Sequence, residues 1–149
     1  MTKVLTAVGA ALALALLVLG LVIYLNREED AIAVDNLLAE SITREIGTAE
    51  QRGEDVDLSD VTQFDWDAVL IADKTASRAE ISRAVGSPWK GDLSFRTGDL
   101  LIFVRGKHVT RFADYRGEGH FEGVKRPIAR VDRDEAVFIV RSLVIRPRR

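Results

Sequence analysis

Cysteine is absent from the sequence. Its absence excludes a disulfide framework, cysteine metal sites, cysteine nucleophiles and lipid attachment at an N-terminal cysteine. The sequence also lacks a G-x-S-x-G elbow, a Walker phosphate loop and an H-E-x-x-H zinc motif, and it contains no internal repeat. Because no catalytic motif is present, the sequence favours a non-enzymatic function and predicts no cofactor.

One long hydrophobic run lies near the N-terminus. Residues 4–25 carry no charge and no proline. As a helix they would be about 33 Å long, enough to cross a hydrocarbon core of about 30 Å. The sequence therefore predicts an uncleaved signal-anchor transmembrane helix over residues 1–26, with the lipid bilayer as the partner of residues 4–25. The short leader favours the bacterial inner membrane, with the C-terminal domain outside the cytoplasm, although the positive-inside bias is small.

Charge is distributed unevenly along the chain. Residues 1–75 carry a net charge of −9 and residues 76–149 a net charge of +7, which give the overall −2. A basic domain can bind an acidic protein, anionic lipid headgroups or nucleic acid, and it can also be a solvated arginine-rich surface.

Five residues of the basic half are candidates for partner binding. One is a tryptophan at the exit of a predicted helix, for which core packing is the alternative, and the others are arginines expected on one hairpin face: Trp89, Arg126, Arg130, Arg133 and Arg141. Nucleic acid is not favoured as a partner, because these arginines lack the interleaved aromatic residues that stack on bases.

Two segments are predicted between the hydrophobic run and the folded domain. Residues 27–49 indicate an amphipathic stalk helix, because apolar residues recur every four positions, at Val34, Leu38, Ile42 and Ile46. That stripe could pack on the domain, pair with a second copy of itself or continue the membrane helix. Residues 50–63 are rich in carboxylates and have little to bury, which predicts an acidic linker.

Residues 64–149 are predicted to form a small α+β domain. Residues 66–72 have the apolar density of a buried strand, and the pattern from Ser77 to Glu80 matches a capping box that begins a helix over 78–85. Two hairpins are predicted to follow, with strands at 99–105, 108–114, 126–131 and 135–145.

The first of these hairpins turns at Gly106-Lys107, where a leading glycine suits a type II′ turn. That register pairs Val104 with Val109, and it continues with Ile102 opposite Arg111. The predicted fold class is thus α+β, with an N-terminal transmembrane helix followed by a small antiparallel β-sheet domain with one short helix packed on a face.

One glycine-rich loop is a candidate metal site. If it is extended, Glu118, His120 and Glu122 alternate onto one face, where two carboxylates and an imidazole could bind a divalent metal. His108 or Asp114 could supply a further ligand. The alternative is a glycine loop with solvated charges, and the sequence alone commits to no metal site.

The helix over 78–85 and the hairpin after it resemble the core signature of the SmpA/OmlA (BamE-like) envelope proteins. In that family a serine- or threonine-capped short helix ends in Leu-Gly-x-Pro and leads into an antiparallel sheet; here the helix ends in Val85-Gly86-Ser87-Pro88. Residues 66–113 also resemble small membrane-anchored bacterial proteins with a W-D-x-V-x-I strand before such a helix. The resemblance implies an envelope interaction module without catalysis.

The chain departs from the family in lacking the lipidated cysteine, in having Val85 where leucine is usual, and in placing a strand before the helix.

These features together predict a single-pass membrane protein whose extracytoplasmic domain binds another protein or component of the cell envelope without catalysis. A metal-dependent hydrolase that uses Glu118, His120 and Glu122 is the alternative from the enzyme class. A third possibility is a cytoplasm-facing domain whose basic face binds anionic lipid. Self-association through the stalk is left open as a further contact.

Overall fold

The computed structural model describes residues 15–18, 21, 34–94 and 96–148. The chain divides into two compact units, residues 1–31 and 32–149. The second unit is an α+β domain. Its α-helices are α1 (Asn36–Arg52), α2 (Leu58–Val61) and α3 (Arg78–Val85), and a 3₁₀ helix covers Arg133–Glu135. Its strands are β1 (Asp55–Asp57), β2 (Ala68–Ala72), β3 (Leu100–Arg105), β4 (His108–Asp114), β5 (His120–Phe121), β6 (Ile128–Asp132), β7 (Val137–Arg141) and β8 (Val144–Pro147).

The strands form two four-stranded sheets. Sheet A has the order β1-β7-β8-β5, and sheet B has the order β4-β3-β2-β6. Neighbouring strands are antiparallel in both sheets except for β5 and β8, which are parallel.

The predicted fold class is wrong on two counts. It includes a transmembrane helix, and no helix within the described ranges has both the length and the apolar character needed to cross a membrane. Most of residues 4–25, on which that prediction rests, lie outside the described residues. It also includes a single sheet with one short helix, whereas the domain has two antiparallel-rich sheets and three α-helices in the described part of the chain.

The second sheet arises because the predicted hairpin of 126–131 and 135–145 is divided between two sheets. The 3₁₀ helix carries the chain from β6 in sheet B to β7 in sheet A. Residues 135–145 are then broken by a turn at Ser142 and Leu143, whose φ angles are +51° and +64°. Two successive left-handed residues are the geometry of a type I′ hairpin, whose usual signal is Asn-Gly. Ser-Leu carries no such signal, so the turn could not be predicted.

Sheet B is the central layer of the domain. All five residues of β2 are buried, which explains the unbroken apolar run over 66–72. One face of the sheet presents Phe103 to a core shared with sheet A and α1, and the other face presents Ile102 to a core shared with α3 and Trp89. An apolar core on each face fixes the sheet and therefore the loops at its ends.

The helix α1 packs into the domain. It buries Leu38, Ile42 and Ile46 in the core between the two sheets, and it contacts β4 of sheet B and β1 and β7 of sheet A. Leu38, Ile42 and Ile46 of the predicted stalk stripe are therefore packed within the chain. The segment 50–63, predicted as a linker, contains the strand β1 and the short helix α2.

Asp35 caps α1 and joins it to sheet B. Its carboxylate accepts a hydrogen bond from the amide of Leu38 at 2.9 Å and one from Arg111 Nη1 at 2.6 Å. The Leu38 amide, together with Arg111, outweighs the effect of burial and lowers the pKa of Asp35 below its ordinary value of 3.8. A carboxylate with a lowered folded-state pKa stabilises the fold above the ordinary pKa, and this stabilisation is lost as the pH falls through the folded-state pKa.

We expect Asp35→Ala to lower the free energy of unfolding by about 1–2 kcal/mol at neutral pH, because it removes the cap and the ion pair. Asp35→Asn keeps a capping side chain and should lose less. Its free energy of unfolding should also fall less steeply than that of the wild type below pH 3.8. Urea unfolding over a series of pH values measures both effects, and identical acid profiles for Asp35→Asn and the wild type would contradict this role.

The helix α3 forms where the sequence predicts it. Ser77 and Glu80 make the reciprocal hydrogen bonds of a capping box, and Gly86 ends the helix with a φ of +85°. Ile81 and Val85 are buried against sheet B. This helix covers the face of sheet B that is opposite to sheet A.

The first hairpin has the predicted register only near its turn. Val104 pairs with Val109, as expected, but the register shifts by one residue between Phe103 and Val104, so Ile102 lies opposite Phe112 and not opposite Arg111. A bulge of this kind is not revealed by the alternation of apolar residues, because β3 is apolar and buried on both faces and so fits either register.

Candidate functional site

A cleft of about 500 Å³ opens at one end of sheet B. Its walls are the loop after β2, the loop before β3, the turn after β4 and the start of β5. A volume of this size suits a small ligand or a short stretch of peptide. The charged and titratable side chains that line it are Asp73, Lys74, Asp99, Tyr115, Arg116, His120 and Arg126.

A buried carboxylate organises one wall of the cleft. Asp114, at the end of β4, is only 3% exposed. It accepts hydrogen bonds from the Thr97 amide at 3.3 Å, the Thr97 hydroxyl at 3.1 Å and the Gly98 amide at 3.2 Å. Arg116 Nε donates a further hydrogen bond to it at 3.1 Å. The carboxylate thereby holds the loop before β3 against the turn after β4.

A second network joins three further parts of the cleft. Arg126 donates to both oxygens of Asp99, at 3.0 and 3.3 Å, and lies 3.7 Å from Asp73. It also donates to the carbonyl of Phe121. Burial acts to raise the pKa of Asp73, but hydrogen bonds from Thr75 and the charge of Arg126 outweigh it and hold that pKa below its ordinary value. Asp73 is therefore ionised at neutral pH and pairs with Arg126.

The loop after β2 is fixed from another side by Arg96. One of its guanidinium nitrogens donates to the carbonyl of Lys74 and, at 3.0 Å, to that of Ala76. Together with the hydrogen bonds of Asp114 and those of Arg126, these contacts tie the loops that form the walls of the cleft in place. A site with such walls is preorganised, since its shape does not depend on a ligand.

The turn after β4 packs closely on Tyr115. An added Cβ atom at Gly117 would lie 2.2 Å from the Tyr115 hydroxyl, so no side chain fits at that position. Tyr115 is 4% exposed, and burial raises the pKa of its phenol. The phenol therefore stays protonated at neutral pH and packs against the glycine loop.

The charges of the cleft are arranged by sign. The carboxylates are turned inward, with side-chain exposures of 4% for Asp114, 15% for Asp99 and 16% for Asp73. The arginines are more exposed, at 55% for Arg116 and 38% for Arg126. Because Asp73, Asp99 and Asp114 are used in internal hydrogen bonds, the exposed cations Lys74, Arg116 and Arg126 outnumber the exposed carboxylate of the glycine loop, Glu118, among the charges that a ligand meets. This arrangement favours a ligand that carries negative charge.

The three side chains of the predicted metal site are not assembled into one. His120 Nε2 and Glu122 Oε1 lie 2.9 Å apart, as expected for alternate residues of an extended segment. Glu122 is engaged by Arg146 at 2.6 Å, and Arg146 together with His120 lowers the pKa of Glu122. Within the described residues, no group of three or more histidine or acidic side chains is placed to hold a metal ion. Asp114, named as a possible further ligand, is fully occupied by Thr97, Gly98 and Arg116.

The four candidate arginines have different partners and do not form one patch. Arg126 lines the cleft, and Arg130 pairs with Asp132 on β6 at 3.2 Å. Arg133 lies over the ring of Trp66 at 5.1 Å, and the guanidinium of Arg141 donates to backbone carbonyls at the end of α1. Trp89 is 4% exposed and stacks edge-on against Phe112, so in this fold it offers no surface to a partner.

Sequence reasoning missed most of the cleft. Asp73, Lys74, Asp99 and Arg116 come from three separate loops, and no local motif unites them. One signal was present: Asp73 and Thr75 form an Asx-type turn, in which the carboxylate accepts from the Thr75 amide at 2.7 Å. That pattern predicts a turn after a strand but not its role in a binding site.

Comparison with protein-family models, with curated proteins and with solved structures found no match to this chain. The resemblance to the SmpA/OmlA proteins therefore stays a prediction, as does the location outside the cytoplasm. The cleft has to be interpreted from its own geometry.

Proposed function

We propose that the domain is a non-catalytic protein-interaction module that binds an acidic segment of a partner protein in the cleft at the end of sheet B. The observation that carries this proposal is the arrangement of charge: Asp73, Asp99 and Asp114 are turned inward and hydrogen-bonded, while the cations Lys74, Arg116 and Arg126 are exposed. An acidic segment meets Lys74, Arg116 and Arg126 without displacing an internal hydrogen bond of Asp114.

The shape of the cleft supports a peptide as the ligand. The walls are built from turns and strand ends held by Asp114, Arg126 and Arg96, so the binding surface is ordered before the ligand arrives. Backbone groups of glycine-containing loops lie along the cleft at Gly98, Gly117 and Gly119. Hydrogen bonds to such groups recognise a main chain in a way that depends little on its side chains.

Photocrosslinking tests this proposal. A photoreactive amino acid replaces Glu118, which is exposed and lies between two glycines of the cleft, in the full chain produced in its native cells. The matched control carries the same group in place of Glu45, an exposed residue of α1. We expect one protein to crosslink at position 118 and not at position 45, and the crosslinked segment to be rich in Asp and Glu. Equal crosslinking at both positions would contradict the proposal, and so would a basic or apolar segment.

A further inference from the structure

The outer edge of β6 is unpaired within the described residues. In sheet B, β6 is the last strand and pairs only with β2. The Asp73 amide donates to the Pro127 carbonyl, and the Arg133 amide donates to the Asp67 carbonyl, both at 2.9 Å. These bonds show that the odd-numbered residues of the stretch 127–133 direct their backbone hydrogen-bonding groups toward β2. By the alternation of an antiparallel ladder, Ile128, Arg130 and Asp132 direct their amide groups away from the sheet.

The outer edge of β4, the other edge strand of sheet B, has a backbone hydrogen-bond partner outside the sheet. The carbonyl of Phe112, on β4, accepts a hydrogen bond from the Asp35 amide at 2.9 Å. No described residue makes a corresponding backbone contact with the outward groups of β6. A groove of about 610 Å³ is lined by Ala129, Arg130 and Val131 of β6 together with residues 123–125, Glu135, Pro147 and Arg148 of the same chain. An open edge of this kind is a template for one more strand.

The charged side chains of β6 indicate which strand can pair with its open edge. Arg130 and Asp132 lie on the same face, with Nε and Oδ1 3.2 Å apart, and their side chains are 47% and 61% exposed. If two copies of β6 pair in antiparallel fashion about a two-fold axis at Val131, each Arg130 lies directly opposite Asp132 of the second copy. The edge is therefore complementary to itself, as an isologous dimer interface requires. A register centred on Arg130 would instead place two arginines opposite each other, which is unfavourable.

We propose that a second copy of this chain docks at β6, so that the two B sheets join into one continuous eight-stranded sheet. Main-chain hydrogen bonds of Arg130 and Asp132 supply the pairing, and two reciprocal Arg130–Asp132 pairs set the register. The interface lies at a sheet edge and not among the residues of the cleft, so this inference stands independently of the proposed function.

Charge exchange tests the dimer. The full chain is studied by sedimentation velocity over a range of concentrations, as the wild type, as Arg130→Asp, as Asp132→Arg and as the double variant that carries both changes. Each single change places like charges opposite each other at both symmetric contacts, and we expect the dimer dissociation constant to rise at least about tenfold. The double variant restores opposite charges across the interface and should return the dissociation constant to near the wild-type value.

The controls separate dimerisation from folding. Asp132 precedes the 3₁₀ helix but makes no capping hydrogen bond with its side chain, so its replacement leaves that helix intact. Thermal unfolding of each variant checks that all are folded, and the double variant reports on the contact even if one single variant is poorly folded. A monomeric wild type at every concentration would overturn the proposal. A dimer equally stable in all four proteins would also overturn it.

Discussion

Replacing Asp114 by alanine is expected to lower the free energy of unfolding by about 3 kcal/mol. The carboxylate is 3% exposed and receives hydrogen bonds from two amides, one hydroxyl and one guanidinium group. Its removal leaves the amides of Thr97 and Gly98 without their acceptor, and the side chain of Arg116 loses its partner. Each unsatisfied buried donor costs about 1–3 kcal/mol.

Equilibrium urea unfolding monitored by tryptophan fluorescence measures this loss. The matched control is Asp65→Asn, since Asp65 is 81% exposed and lies 3.5 Å from an exposed Arg105. Exposed pairs of this kind contribute about 0–1 kcal/mol, so the control should remain close to the wild type. A loss for Asp114→Ala no greater than that of the control would show that the cleft wall does not depend on this carboxylate.

Replacing Ile42 by alanine should cost about 2–5 kcal/mol, the range for large-to-small changes in a close-packed core. Ile42 is fully buried and lies in the core that α1 shares with both sheets. The matched control is Leu37→Ala on the same helix, because Leu37 is 77% exposed. Its effect should be within about 0.5 kcal/mol of zero.

Calorimetry or urea unfolding of the two variants decides whether α1 belongs to the domain. A helix that acted as a separate stalk would leave the unfolding of the domain nearly unchanged in Ile42→Ala. Similar, small losses for both variants would therefore contradict the packing of α1 described above.

Local signals in the sequence account for the parts of the fold that could be predicted. The helix α3 has its capping box, its left-handed Gly86 and a following proline within a dozen residues, and these cues are read without knowledge of the rest of the chain. The strand β2 is buried on both faces, so its apolar run is continuous. The turn at Gly106 carries the glycine that its φ of +60° requires.

The errors came from features that depend on distant residues. The stripe on α1 is the same whether it packs on two sheets or on another helix, and only the tertiary fold decides between them. The turn at Ser142 and Leu143 adopts left-handed backbone without glycine or asparagine, and the Leu143 amide donates to Glu50 on α1 at 2.8 Å, a contact 93 residues away. The two-sheet architecture depends instead on the 3₁₀ helix at Arg133–Glu135, which carries the chain from β6 in sheet B to β7 in sheet A, and no local pattern in the sequence indicates that change of sheet.

The candidate site was harder to predict than the fold. Asp114 has no local feature that distinguishes it from the exposed acidic residues of the chain, and its importance comes from the four donors that folding brings to it. Arg126 was named because it is basic, and the structure shows in addition that it joins Asp99, Asp73 and the Phe121 carbonyl. The proposed function depends on which charged side chains of the cleft are exposed. Folding buries the carboxylates of Asp73, Asp99 and Asp114, and the net charge of the sequence does not reveal this.

The measurement that tests the central claim most directly is the yield of the photocrosslink at position 118 when a charge in the cleft is reversed. Lys74→Glu changes the sign of a cation that lines the cleft, and Lys125→Glu makes the same change at an exposed lysine of the groove beside β6. The proposed function predicts that the yield falls at least about tenfold in Lys74→Glu and stays near the wild-type yield in Lys125→Glu. Equal yields in the two variants would show that the cleft does not recognise an acidic partner.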